Sequence, residues 1–313
     1  MTTFSYKKIL IIKHGSLGDI ITATSVIKAI RDKFKNANLS IVTAERYNDF
    51  FKTSKLIDNI IIDNRNGFLI TLKFISKLIF NKFDLVIDLQ NSNRTAFYAF
   101  FFKLLSKSKI NGTNYFCDFR YKYSYKNPPS VIQGLSNQVN LIDIKVNQKP
   151  YLGWLTNENS YHNKIKHKNF FIINPGCSLK NLKKKWSPSN FAFICNFLIK
   201  KKILPVIIGT IEDKESIDVI VNIEPRALNL IGKSPLSFVY TLGKKALGAL
   251  SNDTGPAHLI AATGCKIHLL LSKYSNPKTV IPQSSNVSYT ISNNINDIST
   301  NKIIDQINKI IIK

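Results

Sequence analysis

Strand-like and helix-like segments alternate along the chain, and this order constrains the fold more than any other feature of the sequence. In the first half, short runs rich in β-branched residues predict strands at 7–13, 39–44, 57–63 and 84–89. Between the first two strands, apolar residues recur every three to four positions and predict a helix from Ile20 to Lys35. Such alternation is typical of right-handed βαβ units with a parallel sheet covered on both faces.

The same alternation restarts after a polar stretch at 145–169, which we interpret as a linker. Strands are then predicted at 170–176 and 204–209, with a helix at 188–202 between them. A chain of 313 residues suits two domains of about 150 residues each. We therefore expect one α/β domain at 1–150 and a second at 151–313. The last helix, 300–313, carries an apolar stripe of isoleucines and is expected to pack on another element, with the N-terminal domain as a candidate surface.

The chain is strongly basic, with a formal net charge of +25. The charge is spread evenly, with 23 Lys/Arg against 10 Asp/Glu in residues 1–150 and 21 against 9 in residues 151–313. A surface that binds anions and a general Lys/Asn/Ile-rich composition both explain this balance. Charge alone would suggest a nucleic-acid-binding protein, but no basic recognition helix or aromatic sheet face is evident, so no nucleic-acid partner is expected.

The sequence indicates a cytoplasmic protein without a metal site. The N-terminal segment has charges inside its apolar run and lacks a small-residue cleavage site, and no uncharged run approaches the roughly 18 residues of a membrane span. The four cysteines are far apart and form no C-x-x-C pair. His162 and His167 lie in the polar linker without ligands at metal-binding spacing.

The segment 15–19, Gly-Ser-Leu-Gly-Asp, connects the first strand to the first helix. It lacks the third glycine of a dinucleotide fingerprint, and Asp88 lies about 70 residues further on instead of about 20, which argues against a nicotinamide or flavin cofactor. Gly15 and Gly18 are expected to form the turn. Asp19 is then either the N-cap of the helix or a carboxylate that holds a hydroxyl group of a substrate.

The segment 251–264 predicts a phosphate site in the second domain. A strand ends near Asp253 and a helix opens near Pro256, a proline position typical of a first helical turn. The amides of Thr254 and Gly255, the Thr254 hydroxyl and the positive helix end would cradle a diphosphate. His258, one turn into the helix, is either a further donor or a half-buried histidine with its own protein partners.

A lysine-rich loop at 174–188 follows the first strand of the same domain and leads to Trp186. Lysine is a mobile point charge that can neutralise a phosphate leaving group. The alternative is a solvated basic loop in which Trp186 serves as a hydrophobic staple. Because this loop and segment 251–264 both follow strands of one sheet, they should line the same carboxyl-end crevice, where α/β folds bind ligands.

Together these segments resemble glycosyltransferase family 9, best known for the lipopolysaccharide heptosyltransferases. The similar segments are 11–34, 83–96, 173–194, 204–215 and 247–264. The resemblance implies an α/β architecture of the GT-B type, in which two Rossmann-like domains with parallel sheets face each other across a cleft. It places the acceptor in the N-terminal domain and the nucleotide-sugar in the C-terminal domain.

The resemblance also implies a reaction. An inverting, metal-independent enzyme would move a sugar, with heptose as the candidate, from a nucleoside-diphosphate donor such as ADP-heptose to a lipopolysaccharide-core or related glycan. No cofactor beyond the donor is implied, and the sequence has no Asp-x-Asp pair of the kind that holds a divalent ion. Another sugar-nucleotide enzyme on the same fold, such as an epimerase, and a family member that has lost activity remain the alternatives.

Individual residues carry over from the family's motifs. The catalytic Asp is matched by Asp19, the phosphate-binding Lys by Lys184 with Lys185 beside it, and an acidic nucleoside contact, more loosely, by Glu212. The nucleotide-binding segment is matched by Asp253, Thr254, Gly255 and His258. The chain departs from the family after residue 271, where a Gly-x-Thr loop is replaced, and around 132–140, where no acceptor motif is recognisable.

The family's acceptor is an anionic glycolipid, which implies work at the inner face of the cytoplasmic membrane. The stretch 119–126, FRYKYSYK, interleaves aromatic residues with cations and predicts a peripheral contact with anionic lipid. An ordinary exposed loop is the other interpretation.

Overall fold

The structure is a computed structural model that describes residues 6–64, 67–124, 126–155, 165, 168–177, 183–282 and 284–312. The chain divides into two compact units, Met1–Trp154 and Leu155–Lys313. Each has one parallel six-stranded sheet with helices. The predicted pair of α/β units with parallel sheets is confirmed.

The N-terminal unit alternates strands and helices throughout. Its strands are β1 (Lys8–Ile12), β2 (Asn38–Thr43), β3 (Asn59–Ile62), β4 (Leu85–Asp88), β5 (Lys109–Gly112) and β6 (Phe119–Arg120). Its helices are α1 (Leu17–Lys33), α2 (Asn48–Lys52), α3 (Phe68–Phe80), α4 (Asn93–Leu105) and α5 (Val131–Asn140). The sheet order is β3-β2-β1-β4-β5-β6.

The C-terminal unit repeats this plan. Its strands are β7 (Phe170–Asn174), β8 (Leu204–Ile207), β9 (Leu228–Asn229), β10 (Ala249–Asn252), β11 (Ile267–Ser272) and β12 (Val287–Ser292). Its helices are α6 (Pro188–Lys200), α7 (Lys214–Ile223), α8 (Leu236–Lys245), α9 (Gly255–Ala262), α10 (Pro277–Val280) and α11 (Thr300–Ile311). The sheet order is β12-β11-β10-β7-β8-β9.

Both sheets have the strand order of a dinucleotide-binding fold, in which the chain starts in the middle, builds one edge and then returns to build the other. The direction of winding reverses between β1 and β4 in the first unit and between β7 and β10 in the second. At such a reversal the loops that follow the two central strands diverge to opposite faces and leave a crevice at the carboxyl edge. The strand order therefore predicts one ligand site in each unit.

The helix α11 completes the core of the C-terminal unit. Its buried residues Ile303, Ile307 and Ile310 share a cluster with residues of α6, among them Phe191 and Leu198. Within the described part of the chain, no helix is long and apolar enough to cross a membrane.

A buried histidine in β11 makes the stability of the C-terminal unit sensitive to acid. His268 is 1% exposed, and its ring nitrogens lie 2.8 Å from Ser288 Oγ and 3.0 Å from Thr290 Oγ1. Burial lowers the pKa of His268 to about 4, and Lys302 and Lys309 contribute to the shift. The unfolded chain takes up this proton near pH 6.5, so the free energy of unfolding should fall by up to about 3 kcal/mol as pH drops from 6.5 to 4.

Denaturant unfolding of the wild type and of His268→Gln at several pH values measures this effect. The wild type should lose more stability than the variant across that window, because the variant has no proton to gain on unfolding. Equal pH dependence of the two proteins would contradict the assignment.

Candidate functional site

The turn after β1 has a shape that requires glycine. Gly15 has φ +76, and a Cβ there would lie 2.6 Å from Ile20 Cγ1. The side chain of Gln90, which follows β4, holds the turn, since its Oε1 accepts hydrogen bonds from the amides of His14 (3.0 Å) and Gly15 (3.1 Å). The loops after the two central strands are thereby joined at the reversal point of the sheet.

The first helix begins earlier than predicted, and the interpretation of Asp19 as its N-cap is wrong. Helix α1 starts at Leu17 with Ser16 as the N-cap, so Gly18 already lies inside the helix and Asp19 is its third residue. Ser16 and Asp19 form a capping box in which the Asp19 amide donates to Ser16 Oγ (3.4 Å). In return, Asp19 Oδ2 accepts from the amide and the hydroxyl of Ser16, each at 3.1 Å.

This capping box leaves half of the Asp19 carboxylate available. Both of its hydrogen bonds end on Oδ2, and Oδ1 accepts none from the described residues. Asp19 is half-buried and lines a cavity of about 290 Å³ in the N-terminal unit. One oxygen thus fixes the side chain while the other can accept a hydrogen bond from a ligand.

The cavity beside Asp19 has apolar as well as polar walls, and Leu89, Pro128, Pro129, Val131 and Leu135 form its apolar part. Its polar groups and tyrosines are Lys13, Gln90, Asn91, Thr113, Tyr121, Tyr123, Ser130 and Gln138. The stretch 119–126 therefore contributes Tyr121 and Tyr123 to this cavity, and the rings of the two stack at 6.2 Å. A wall with many donors and acceptors suits a ligand that carries several hydroxyl groups.

Lys13 is the positive charge of this cavity. It is 3% exposed, and its Nζ donates to the carbonyl of Leu89 at 3.0 Å. Burial lowers the pKa of Lys13, whereas attraction by the carboxylates of Asp19 and Asp88 opposes the shift. Lys13 and Asp19 therefore act on each other electrostatically within the same cavity.

A buried amide network forms the floor of the cavity, and sequence reasoning missed it. Gln138 is fully buried in α5 and donates to the carbonyl of Asp88 (2.9 Å) and to Asn111 Oδ1 (3.1 Å). Its Oε1 accepts from Asn91, whose own Oδ1 accepts from the amide of Thr113 at 3.0 Å. The sequence feature that could have indicated this network is the pair Gln90-Asn91, which begins two residues after the end of β4. Loops at this end of the strands are where α/β folds place ligands.

In the C-terminal unit, Lys184 and Asp253 form an ion pair at the corresponding edge. Lys184 Nζ lies 2.9 Å from Asp253 Oδ2, although the two residues are 69 positions apart. Ser275, in the loop after β11, donates its hydroxyl to the same oxygen at 2.9 Å. The loop that departs from the family's pattern therefore supplies a contact to Asp253, which the sequence did not indicate.

Thr254 and Gly255 open α9 next to this ion pair. Thr254 is the N-cap, but its side chain makes no capping hydrogen bond. Its Oγ1 instead accepts from Asn174 Nδ2 (2.7 Å) at the end of β7, the neighbouring strand. The amino end of α9 is thus left without a side-chain cap from Thr254, as an anion site at a helix start requires.

The position of Lys184 is fixed by its neighbour Trp186. Trp186 is fully buried; its amide donates to Asn252 Oδ1 (3.3 Å) and its Nε1 to the carbonyl of Ile298 (3.1 Å). Its ring packs edge-to-face on Phe191, with centroids 5.1 Å apart. Trp186 precedes the N-cap Ser187 and Phe191 is the fourth residue of α6, so Trp186 forms the hydrophobic staple that belonged to the alternative interpretation of this loop.

The other predicted residues of this unit are Lys185, Glu212 and His258. Lys185 is close enough to Cys177 to oppose, together with Lys184, the rise in the pKa of that thiol, which burial causes. Glu212 lies in a short 3-10 turn after β8 and is exposed. His258 is half-buried on α9. Residues 178–182 of the predicted lysine-rich loop, and His162 and His167, lie outside the described residues.

A family model described as "Glycosyltransferase family 9 (heptosyltransferase)" matches residues 71–310, most of the chain. The chain belongs to glycosyltransferase family 9. It is accordingly a glycosyltransferase, and the resemblance inferred from its motifs is confirmed. The matched region contains Lys184, Asp253 and Thr254, whereas the turn that carries Asp19 precedes it.

Solved structures of a family 9 glycosyl transferase and of two heptosyltransferases share this fold. A family 9 glycosyl transferase from Veillonella parvula aligns with a TM-score of 0.80 at 17% identity, covering 98% of this chain and 97% of that one. The ADP-heptose lipopolysaccharide heptosyltransferase II of E. coli aligns at 0.76 and 17%, covering 97% and 98%. The E. coli heptosyltransferase WaaC with ADP aligns at 0.76 and 14%, covering 97% and 99%.

The fold is not restricted to transferases. The UDP-GlcNAc 2-epimerase of Methanocaldococcus jannaschii aligns with a TM-score of 0.66 at 15% identity, covering 98% of this chain and 93% of that one. No curated protein sequence matches this family 9 glycosyltransferase. Among its described residues, no three His, Cys, Asp or Glu side chains are grouped so that they could hold a metal ion.

Proposed function

We propose that this glycosyltransferase moves a sugar, with heptose as the candidate, from a nucleoside-diphosphate donor to a hydroxyl of a lipopolysaccharide-core or related anionic glycan. The transfer is a single displacement that inverts the anomeric carbon and uses no metal ion. The observation that carries the proposal is the Lys184–Asp253 pair beside the amino end of α9, at the carboxyl edge of its sheet. The solved WaaC structure, which contains ADP, supports a nucleotide donor.

The C-terminal residues supply positive charge to the diphosphate. Asp253, whose carboxylate also accepts a hydrogen bond from Ser275, holds the Lys184 ammonium in place, so little side-chain entropy is lost when phosphate oxygens bind to it. The uncapped amide of Gly255 and the hydroxyl of Thr254 can donate to the same oxygens. These groups would stabilise the charge that develops on the leaving nucleoside diphosphate, which is the role a divalent ion plays in other transferases.

The N-terminal residues act on the acceptor. The free Oδ1 of Asp19 accepts a hydrogen bond from the attacking hydroxyl and takes its proton. A carboxylate in the first turn of a helix is a weak base, because the helix end stabilises its charge. The transfer is therefore late, because the hydroxyl oxygen becomes strongly acidic only as its bond to an oxocarbenium-like carbon forms.

Nucleotide binding tests the donor half of this proposal. Thermal unfolding of the full chain is followed with ADP, GDP, UDP or CDP, without added metal. A nucleotide at about 100 times its Kd stabilises the folded protein by about 2.7 kcal/mol, which raises Tm by several degrees. We expect ADP to give the largest shift.

The variant Lys184→Gln serves as the matched control, because it removes the proposed phosphate contact and keeps a side chain of similar length. It should lose most of the ADP shift, measured from its own Tm without nucleotide, which falls because Asp253 loses its ion-pair partner. If a nucleotide other than ADP gave the largest Tm shift, the proposed mechanism would stand and the donor would carry that other base. No shift with any of the four nucleotides would contradict the proposed donor site.

A further inference from the structure

Two neighbouring helices of the N-terminal unit expose apolar side chains to solvent. In the first turn of α3, Phe68, Leu69 and Ile70 are 66, 72 and 57% exposed. On α4, Leu104 is 65% exposed, and Tyr115, in the loop after β5, is 79% exposed. Large side chains are rarely grouped in this way on a soluble protein unless the surface binds something.

An unbroken chain of aromatic contacts runs from Phe68 on α3 to Tyr115 in the loop after β5. Phe68 of α3 contacts Phe97 of α4 (6.1 Å between ring centroids), and Phe97 contacts Phe101 at 5.0 Å. Phe100 then links Phe101 to Phe116, at 5.2 Å in each case, and Phe116 contacts Tyr115 at 6.0 Å. We call residues 68–70, the exposed side of α4 and Tyr115–Phe116 the α3–α4 surface.

The charges around the α3–α4 surface are almost all positive. Residues 67–126 contain ten Lys/Arg and three Asp. Asp88 is buried, Asp84 accepts backbone hydrogen bonds at 2.7 and 2.8 Å, and Asp118 pairs with Lys103 at 2.8 Å. The negative charges are thus engaged within the protein. Lys73 and Lys77 on α3 are exposed, and the guanidinium of Arg120 lies 5.6 Å from the Tyr115 ring centroid.

We propose that the α3–α4 surface docks on an anionic lipid bilayer and lies in its interface without crossing it. Aromatic and aliphatic side chains of such a surface enter the boundary between head groups and acyl chains. Lysine stems lie along the apolar layer while their ammonium groups reach the phosphates. A second copy of the chain is a poor occupant, because two cationic surfaces would repel each other.

The α3–α4 surface adjoins residues that line the cavity beside Asp19, so docking has a functional consequence. Asn91 and Thr113 line the cavity beside Asp19, and α4 and the Tyr115–Phe116 loop begin within two residues of them. A glycan anchored in the same bilayer would then be presented near the cavity. This consequence rests on the proposed function, whereas the docking itself does not.

Vesicle sedimentation of the purified full chain tests the proposal. We expect the protein to sediment with vesicles of phosphatidylcholine mixed with phosphatidylglycerol, to remain in solution with phosphatidylcholine alone, and to bind less as salt screens the charges. The double variant Leu69→Gln/Leu104→Gln, which changes two exposed positions, should partition at least about tenfold less. Lys73→Gln should cost about fivefold.

The matched control is Ile223→Gln/Ile312→Gln, which removes two apolar side chains of the C-terminal unit that are 55 and 70% exposed. It should bind vesicles as the wild type does, and circular-dichroism melting should show all variants folded. Equal loss in the control, or equal binding to neutral and anionic vesicles, would overturn the proposal. Failure of the wild type to bind either vesicle would also overturn it and would leave a protein partner as the occupant. None of these outcomes depends on nucleotide binding or sugar transfer.

Discussion

Replacing Asp19 by Asn should lower kcat/KM for sugar transfer by about two to four orders of magnitude, the usual contribution of a general base. The amide can still accept hydrogen bonds from Ser16, so the capping box and the start of α1 should persist. The amide cannot take a proton from the acceptor hydroxyl, and it adds no negative charge opposite the oxocarbenium-like carbon. Steady-state kinetics with donor and acceptor, together with the Tm of the variant, measure both effects.

The control for Asp19 is Ser16→Ala, which breaks the capping box from the other side. This variant should lose about 1 kcal/mol of stability, as N-cap deletions usually do, and should keep transfer within a few-fold of the wild type. The two variants therefore separate the two roles of the carboxylate. If Asp19 served only as part of the cap, Ser16→Ala would be the more damaging change and Asp19→Asn would be nearly silent in kinetics.

Replacing Lys184 by Ala should lower kcat/KM by about two to three orders of magnitude, similar to the loss of a donor that stabilises developing negative charge. The loss has two parts. The ammonium no longer neutralises the leaving diphosphate, and the Asp253 carboxylate, now held only by Ser275 among the described residues, repels it. Lys184→Arg should restore little, since a planar guanidinium does not fit the place of a compact ammonium.

The neighbouring Lys183 provides the control for Lys184. Its Nζ lies 5.2 Å from the ring centroid of Tyr274, and Lys183→Ala removes the same charge from the same loop. We expect its effect on kcat/KM to stay below about tenfold, because the lost field is screened by solvent. Equal losses in the two variants would show that only the net charge of the loop matters. The double variant Lys184→Ala/Asp253→Asn should be less impaired than the sum of its parts, because the two residues interact directly.

Local sequence patterns determined the elements of this fold. Short apolar runs bounded by turn residues indicated most strands correctly, because a strand buried on both faces needs such a run. Other strands were not predicted: β5 reads Lys-Ile-Asn-Gly and β6 has only two residues, whereas β11 and β12 have six residues each. The start of α1 was also readable, since Ser16-x-x-Asp19 is a capping-box signature. The predicted start at Ile20 is wrong because Asp19 is itself a good N-cap residue and competes with Ser16 for that role in the sequence pattern.

Family motifs indicated which residues to examine, and the sequence alone placed Asp19, Lys184 and Asp253 in segments that follow strands. It did not show that Lys184 pairs with Asp253, that Ser275 joins them, or that Gln90 and Gln138 build the cavity beside Asp19. These contacts join residues about 20 to 75 positions apart.

The physical reason is the order of the strands. Hydrophobic periodicity fixes which face of each strand is buried, but it leaves open which strands become neighbours. Placing β4 beside β1, and β10 beside β7, brings four separate loops to two crevices. The sequence by itself thus determined two parallel α/β units and indicated the candidate residues of the two sites. Only the tertiary structure decided which of those residues meet. It also left the apolar side chains of the α3–α4 surface exposed to solvent.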